Sequence, residues 1–447
     1  MIYLNFEETS RPMEEIRTLL LCLSSVIEPT TLRQLNVVCS AMLCMTGRVT
    51  TLGISRWAAK GGSYRTIQRF FQTSISWEKL NFIIARKQIN RMKVVLFAGD
   101  ATTITKSGKS TYGIGRFFSS IYSKTVRGLS FQTISLVDVD SKKSWPILVE
   151  QILRNDKNDN EGKEDKPKIK RGRGRPKGSK NKNKTDVELK SEMTQLKTMI
   201  EKVKELVSDA IVPLYFIYDG ALGNNAGAQM IIQSGLQLIS KLKHNSAVFL
   251  PWDGNYSGRG APRKYGLKIN FRAISEKYLK SEITENDILT RYFQLEVLSK
   301  SFASPLNIAV IYKKNLLTGK EGHVILFSTD LSLDWESILE YYSLRFQIEF
   351  NFRDAKQFWG LEDFMVIKQI CVTNAANLAF FMVNFSQSLL PISNAVSIND
   401  LKSHYHGLRY IEEILKLLPK NTDLIKNHRI IEQVSALGRI HDLKIPA

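Results

Sequence analysis

Hydrophobic positions near the start of the chain recur at three- and four-residue steps: Leu19, Leu20, Leu23 and Ile27, then Leu32, Leu35, Val38, Cys39 and Met42. That period predicts amphipathic helices over 12–90, with Thr30 or Thr31 as the cap of the second. Gly61-Gly62 interrupts the pattern, and Ser63 is a natural N-cap for a helix over Tyr64–Gln72. From residue 93 the pattern turns to strands. Val94-Val95-Leu96-Phe97 is a β-branched and aromatic run leading to Ala98-Gly99-Asp100, and Thr111–Ser120 and Gly128–Asp138 follow between turn residues. Neither alternating set in Gly128–Asp138 is purely polar, which predicts a central strand covered on both faces. Residues 154–184 carry almost no apolar side chain and read as a flexible insertion.

Beyond that insertion, Leu189, Met193, Leu196, Ile200, Val203 and Val207 mark one face of a helix over Asp186–Ala210. It feeds a second buried-looking strand, Leu214–Tyr218, which ends in Asp219-Gly220. A helix over Asn224–Ser234 and a strand within Leu236–Leu250 follow, then short strands and turn signals as far as Phe327. Helix returns from Asp334 to about Phe358, and 366–447 reads as mostly helical and basic. The breaks divide the chain into 1–90 (helical), 91–250 (first core segment, with the 154–184 insertion), 251–327 (a β-rich insertion), 328–400 (second core segment) and 401–447 (a helical C-terminal region).

Charge adds a partner to this picture. The 447 residues hold 63 Lys and Arg against 43 Asp and Glu, a formal net charge of +20 that favours a polyanion. A membrane is the weaker choice, because Leu19–Ile27 and Leu378–Phe385 fall short of the ~18–20 apolar residues of a spanning helix. The opening MIYLNFEETS has acids and no basic n-region, so no secretory signal is expected and the compartment is read as cytoplasmic. Cys22, Cys39, Cys44 and Cys371 form no CxxC, and with six histidines give no ligand pattern, so they read as buried thiols.

Within 163–184, eleven Lys and Arg stand against Glu164 and Asp165, a local charge of +9. Arg173-Gly174-Arg175-Pro176-Lys177 resembles an AT-hook, a short arginine segment lying in the narrow minor groove of A·T-rich DNA. A generic basic linker is the alternative. In Tyr64–Gln72, Arg65, Gln68 and Arg69 lie together, apart from Ile67, Phe70 and Phe71. With the glycine turn, this suits a helix-turn-helix reader of DNA contacting it through Arg65 and Arg69; a helical bundle with solvated arginines fits the same pattern. Trp57, Tyr64 and Phe70 are read as bundle core rather than base-stacking groups.

Two buried strands that each end in an aspartate, Asp100 and Asp219, are the strongest chemical signal, because groups at strand carboxyl ends of an α/β sheet converge on a crevice. A third acid is needed to hold two divalent ions, and Glu349 is the best candidate. At about 100° per residue, Tyr342, Arg345, Glu349 and Lys356 fall at about 0°, 300°, 340° and 320°, one face of a helix. A tyrosine, an arginine, a glutamate and a lysine make a poor core stripe and a good polar site. Asp138, Asp140, Asp354 and Asp363 are read as solvated or structural acids.

Tyr342-(2)-Arg345-(3)-Glu349-(6)-Lys356 resembles the Y-(2)-R-(3)-E-(6)-K signature of DDE transposases of the insertion-sequence-four family, with Asp100 in GDAT and Asp219 in YDG as the first two acids of its triad. The resemblance covers roughly 90–360 and implies an α/β fold. The core would be an RNase H-like mixed sheet flanked by helices, interrupted by the β-rich insertion and preceded by an N-terminal helical DNA-binding domain. It implies that Asp100, Asp219 and Glu349 hold two Mg²⁺ ions, with Mn²⁺ as a substitute, for phosphodiester cleavage and strand transfer. Arg345 and Lys356 would clamp phosphates and Tyr342 would contact the transposon end. The implied partners are double-stranded DNA (terminal repeats and target) and a second copy of the chain, in a bacterial, nucleoid-associated setting. Two other readings stand beside it: a catalytically silent DNA-binding regulator, and an RNase H-like nuclease.

Overall fold

The computed structural model describes residues 11–58, 61–89, 94–119, 122–154, 183–256, 258 and 260–417. Five short helices come first: α1 (Arg11–Leu21), α2 (Pro29–Cys44), α3 (Thr51–Trp57), α4 (Tyr64–Gln72) and α5 (Trp77–Ala85). Ser63 Oγ accepts the Thr66 amide at 3.3 Å and starts α4 where the sequence places it. The cap of α2 differs from expectation. The helix begins at Pro29, ahead of Thr30 and Thr31, because proline's fixed φ and missing N–H suit the first helical position. Phe70 is fully buried, and Trp57 packs on His406 with ring centroids 5.1 Å apart. Tyr64 is not core: it is the first residue of α4 and is 43% exposed.

The sheet opens with β1 (Val95–Thr105), β2 (Gly115–Ser119), β3 (Lys124–Asp138) and β4 (Lys143–Ile152). After α6 (Ser191–Val207) come β5 (Tyr215–Ile217), α7 (Asn225–Gln233) and β6 (Gln237–Leu242). The order β4-β3-β1-β5-β6 has β3 antiparallel to β1 and β4, and β5 and β6 parallel to β1. This is the mixed sheet expected of an RNase H-like core. Then follow β7 (Val248–Pro251), β8 (Tyr265–Lys268), β9 (Leu279–Glu285), β10 (Ile288–Ser299), β11 (Leu306–Asn315) and β12 (Glu321–Ser328). β12 bonds antiparallel to β6, with Ile325 opposite Leu242, so the β-rich segment continues the core sheet and twelve described strands form one ladder.

Both faces of the sheet around β1 and β3 are covered, as the missing polar face of β3 predicts. Leu96, Ala98, Leu129 and Phe131 join a cluster with α1–α5 and with the last four helices, α8 (Trp335–Leu344), α9 (Phe346–Gln357), α10 (Gln369–Leu389) and α11 (Ile398–Leu417). Val95, Phe97, Ile134 and Leu136 face a second cluster built on α6 and α7. Buried asparagines tie α10 to its neighbours. Asn374 Nδ2 donates to Phe71 O and Thr73 O at 2.9 and 2.7 Å, its Oδ1 accepts Trp77 Nε1 at 2.8 Å, and Asn384 Nδ2 donates to Pro146 O at 2.7 Å. Each such bond is worth about 1 kcal/mol. Among the described residues no helix is long and apolar enough to cross a membrane. Residues 155–182, with Arg173 and Arg175, and 418–447 lie outside the described residues, so most of the expected insertion and much of the expected C-terminal region do too.

Candidate active site

Asp100 sits in the middle of β1, not at its end. The reason is unequal pairing. β3 matches β1 from Val95↔Asp138 to Thr105↔Gly128, whereas β5 matches only Phe97 and Ala98. Past Ala98, β1 is therefore laddered on one side and open on the other, and Asp100 stands at the open side. Asp219 follows the end of β5 by two residues and caps a short 3-10 turn, its Oδ1 accepting the Ala221 amide at 2.9 Å. Its carbonyl accepts Ser240 Oγ at 2.6 Å.

The expected helix over 334–358 is two helices that meet at Arg345. Asp334 caps the first by accepting the Ser337 amide at 2.8 Å. At the joint, Arg345 N bonds Tyr342 O and Ile348 N bonds Arg345 O, three residues back in each case, which tightens the backbone. This turns Arg345 into the sheet. Its Nη1 lies 2.7 Å from Asp100 Oδ2 and its Nη2 lies 3.1 Å from Glu349 Oε1. The Arg345 side chain is 12% exposed, that of Asp100 20% and that of Glu349 48%, so the acids lie along a gradient from core to solvent.

The charges shape one another. Burial pushes the Asp100 carboxyl up to about 6; Asp219 and Glu349 push the same way, while Arg345 and the Ala101 amide oppose. Burial also raises the Tyr342 phenol, which lies within reach of the charges of Arg345, Asp219 and Asp100. Asp100, Asp219, Tyr342, Arg345 and Glu349 thus form one electrostatic unit.

Lys356 stands outside it. Its Nζ donates to Thr103 O at 3.3 Å and pairs with Glu362 at 3.7 Å, and burial lowers its pKa. Seven helical residues beyond Glu349 span about 10 Å. Three strand residues beyond Asp100 span about 10 Å as well, so α9 and β1 run side by side and the stripe reaches only one end of the acid group. Arg65 and Arg69 are exposed on α4, which packs on α2, α3 and α10 and not on the acids. Of the competing acids, Asp138 accepts the Asp140 amide, Asp354 pairs with Arg353, and Asp363 accepts the Val49 amide at 2.9 Å.

Three groups, on α9 and just past the end of β1, escape a reading of the sequence. Lys106 Nζ donates to Glu362 O and Phe364 O at 2.8 Å each, and burial brings its pKa down to about 8. Phe346 and Phe350 are 53% and 47% exposed on the helix that carries Glu349, with the Arg345 guanidinium 5.1 Å from the Phe346 ring and that of Arg353 4.9 Å from the Phe350 ring. Aromatics four apart on an amphipathic helix ordinarily mark its core face, so no sequence signal sets these two apart.

The donor set suits a hard cation. All three acids offer carboxylate oxygen, and Arg345 already sets one positive charge between Asp100 and Glu349. Among the described residues no group of three or more His, Cys, Asp or Glu is close enough to hold a single ion together.

The family description "DDE superfamily endonuclease" matches residues 22–287, more than half of the chain, a span that contains Asp100 and Asp219 and stops before Glu349. No curated protein matches the chain. The solved piggyBac transposase synaptic complex with hairpin DNA overlays 99% of this chain and 85% of that chain at 10% identity and a TM-score of 0.37, a likeness too slight to carry any argument.

Proposed function

Since the chain belongs to the DDE superfamily endonucleases, we propose that it is a transposase of an insertion sequence, which binds the terminal repeats of its element and cuts and joins DNA in a Mg²⁺-dependent reaction. The observation that carries this reading is the convergence of Asp100 and Glu349 on the half-buried Arg345, with Asp219 within reach of its charge, although each acid is more than a hundred residues from the next. Asp100, Asp219 and Glu349 are assigned as the metal ligands, with Mn²⁺ as a substitute. Bound there, two divalent ions would lower the pKa of the attacking hydroxyl or water and stabilise the leaving oxygen.

The chain's own residues supply the frame. Backbone amides fix one oxygen each of Asp100 and Asp219, so the other oxygens keep a set direction. Arg345 balances two of the carboxylates while the site is empty of substrate and remains at hand for a phosphate. Tyr342 borders the same group and contacts the DNA end. Lys356 and Lys106, one strand segment away, offer cationic anchors for backbone phosphates. Arg65 and Arg69 on α4, and Arg173 and Arg175 in the basic 163–184 segment, are assigned to DNA outside the reacting site. Cutting two ends in one complex calls for two catalytic sites, hence a dimer on DNA.

The test is plasmid DNA carrying the element's ends, with and without Mg²⁺. Strand transfer supports the transposase; cleavage alone would mean a nuclease, and binding alone a regulator.

A further inference from the structure

Behind the aspartates lie two buried side chains, Gln132 and Tyr218, to which the proposed function assigns no metal or DNA contact. The β1–β5 register pairs Phe97 with Phe216 and Ala98 with Ile217. Carried two residues further, it sets Gly99 beside Tyr218 and Asp100 beside Asp219, although ladder bonding has stopped. Strand alternation sends Asp100 to the face covered by α9, and Gly99 and Ala101 to the opposite face. Tyr218 lies on that opposite face, within the cluster built on α6 and α7, and is 9% exposed.

Its hydroxyl donates to Gln132 Oε1 at 3.1 Å, and Gln132 Nε2 donates to the main-chain carbonyl of Asp100 at 3.0 Å. Gln132 stands on β3 directly opposite Ala101 and is 6% exposed. Gly99 leaves the room this arrangement needs: a Cβ there would fall 2.8 Å from the Phe216 ring and 2.9 Å from the Tyr218 ring. The backbone of Asp100 is thus tied, through one amide, to the residue that precedes Asp219.

We propose that Gln132 and Tyr218 are positioning residues, a bridge on the back of the sheet that sets the separation of Asp100 and Asp219 where β1 and β5 no longer bond. The inference rests on the assignment of both aspartates as metal ligands. The glutamine suits the task because a single amide both accepts from Tyr218 and donates to Asp100. Both partners are buried, so loss of either leaves a polar group with no water to replace it.

Titration of the full chain with Mn²⁺, followed by the electron paramagnetic resonance signal of the free ion, tests this. The proteins are wild type, Tyr218→Phe, Gln132→Leu and Asp100→Ala, with thermal melting recorded in EDTA. Tyr218→Phe is expected to weaken Mn²⁺ binding about tenfold, the usual scale for a group behind a metal ligand. Its DNA affinity should stay near wild type while the cleavage kcat falls, and the metal-free melting temperature should drop only by what one orphaned buried amide oxygen costs. Gln132→Leu should lose at least as much; if it does not fold, Tyr218→Phe, which removes one oxygen atom, decides alone. Wild-type Mn²⁺ affinity in Tyr218→Phe, with or without a lower melting temperature, would make the pair merely structural and overturn the inference while the metal assignment stands. Equal Mn²⁺ binding by wild type and Asp100→Ala would instead remove the metal assignment and the inference with it.

Discussion

Asp100→Asn is expected to make the metal-free protein more stable at pH 8 while ending its cleavage activity. Burial first, with the charges of Asp219 and Glu349 added, raises the Asp100 carboxyl from 3.8 to about 6 in spite of Arg345. An acid whose folded pKa lies above its unfolded value holds its proton more tightly when folded. Its contribution is therefore neutral below about pH 4, falls as pH climbs to about 6, and stays unfavourable above. At about 1.4 kcal/mol per pH unit, the interval corresponds to a cost of about 3 kcal/mol at pH 8. The side chain is only 20% exposed, so solvent screening removes little of it. Asparagine copies the protonated form and escapes the cost. Urea unfolding in EDTA should show the variant more stable by up to about 3 kcal/mol at pH 8, with the gap closing towards pH 4. Mg²⁺ at a thousandfold excess over Kd should reverse the order, since it adds about 4.1 kcal/mol to the protein that binds it. A variant no more stable than wild type at pH 8, or a gap that persists unchanged at pH 4, would show that burial does not raise this carboxyl.

Three further outcomes follow from the same geometry. Glu349→Gln should reduce strand cleavage about a thousandfold or more while gel-shift affinity for the ends stays within a few-fold, because the residue serves the reacting oxygens and not end recognition. Arg345→Lys keeps the charge but loses the fork that spans Asp100 and Glu349; cleavage should drop about ten- to hundredfold, and the rising limb of the pH–rate profile should move to higher pH because a shorter, single ammonium no longer holds both carboxylates at bonding distance. Deleting 163–184 should lower the slope of log affinity against log salt by about 0.9 for each phosphate that the segment neutralises, with little change in the rate from bound complex; an unchanged slope would remove that segment from DNA binding.

What the sequence discloses and what it withholds divide along the range of the interactions. The helix over Tyr64–Gln72 and its Ser63 cap are local, and so they are legible. The covered β3 is legible too, because its own residues carry apolar groups on both faces. Asp100 reads as a strand end only because the apolar run stops there; β1 continues because β3, some thirty residues on, supplies its partner. The helical stripe shows the complementary limit. Angular spacing places Tyr342, Arg345, Glu349 and Lys356 on one face, yet a face is a line about 20 Å long over fourteen residues, and a site is a point. Where along that line the acids meet it is fixed by the packing of α9 on β1, which pairs Arg345 with Asp100 and leaves Lys356 beside Thr103. The net charge of +20 points in the same direction: eleven of the cations behind it lie in 163–184, while the one that holds Asp100 and Glu349 is the half-buried Arg345. A cation there follows from the electrostatics of the site, because a carboxylate as buried as Asp100 beside two others ionises near neutral pH only with a positive charge within bonding distance.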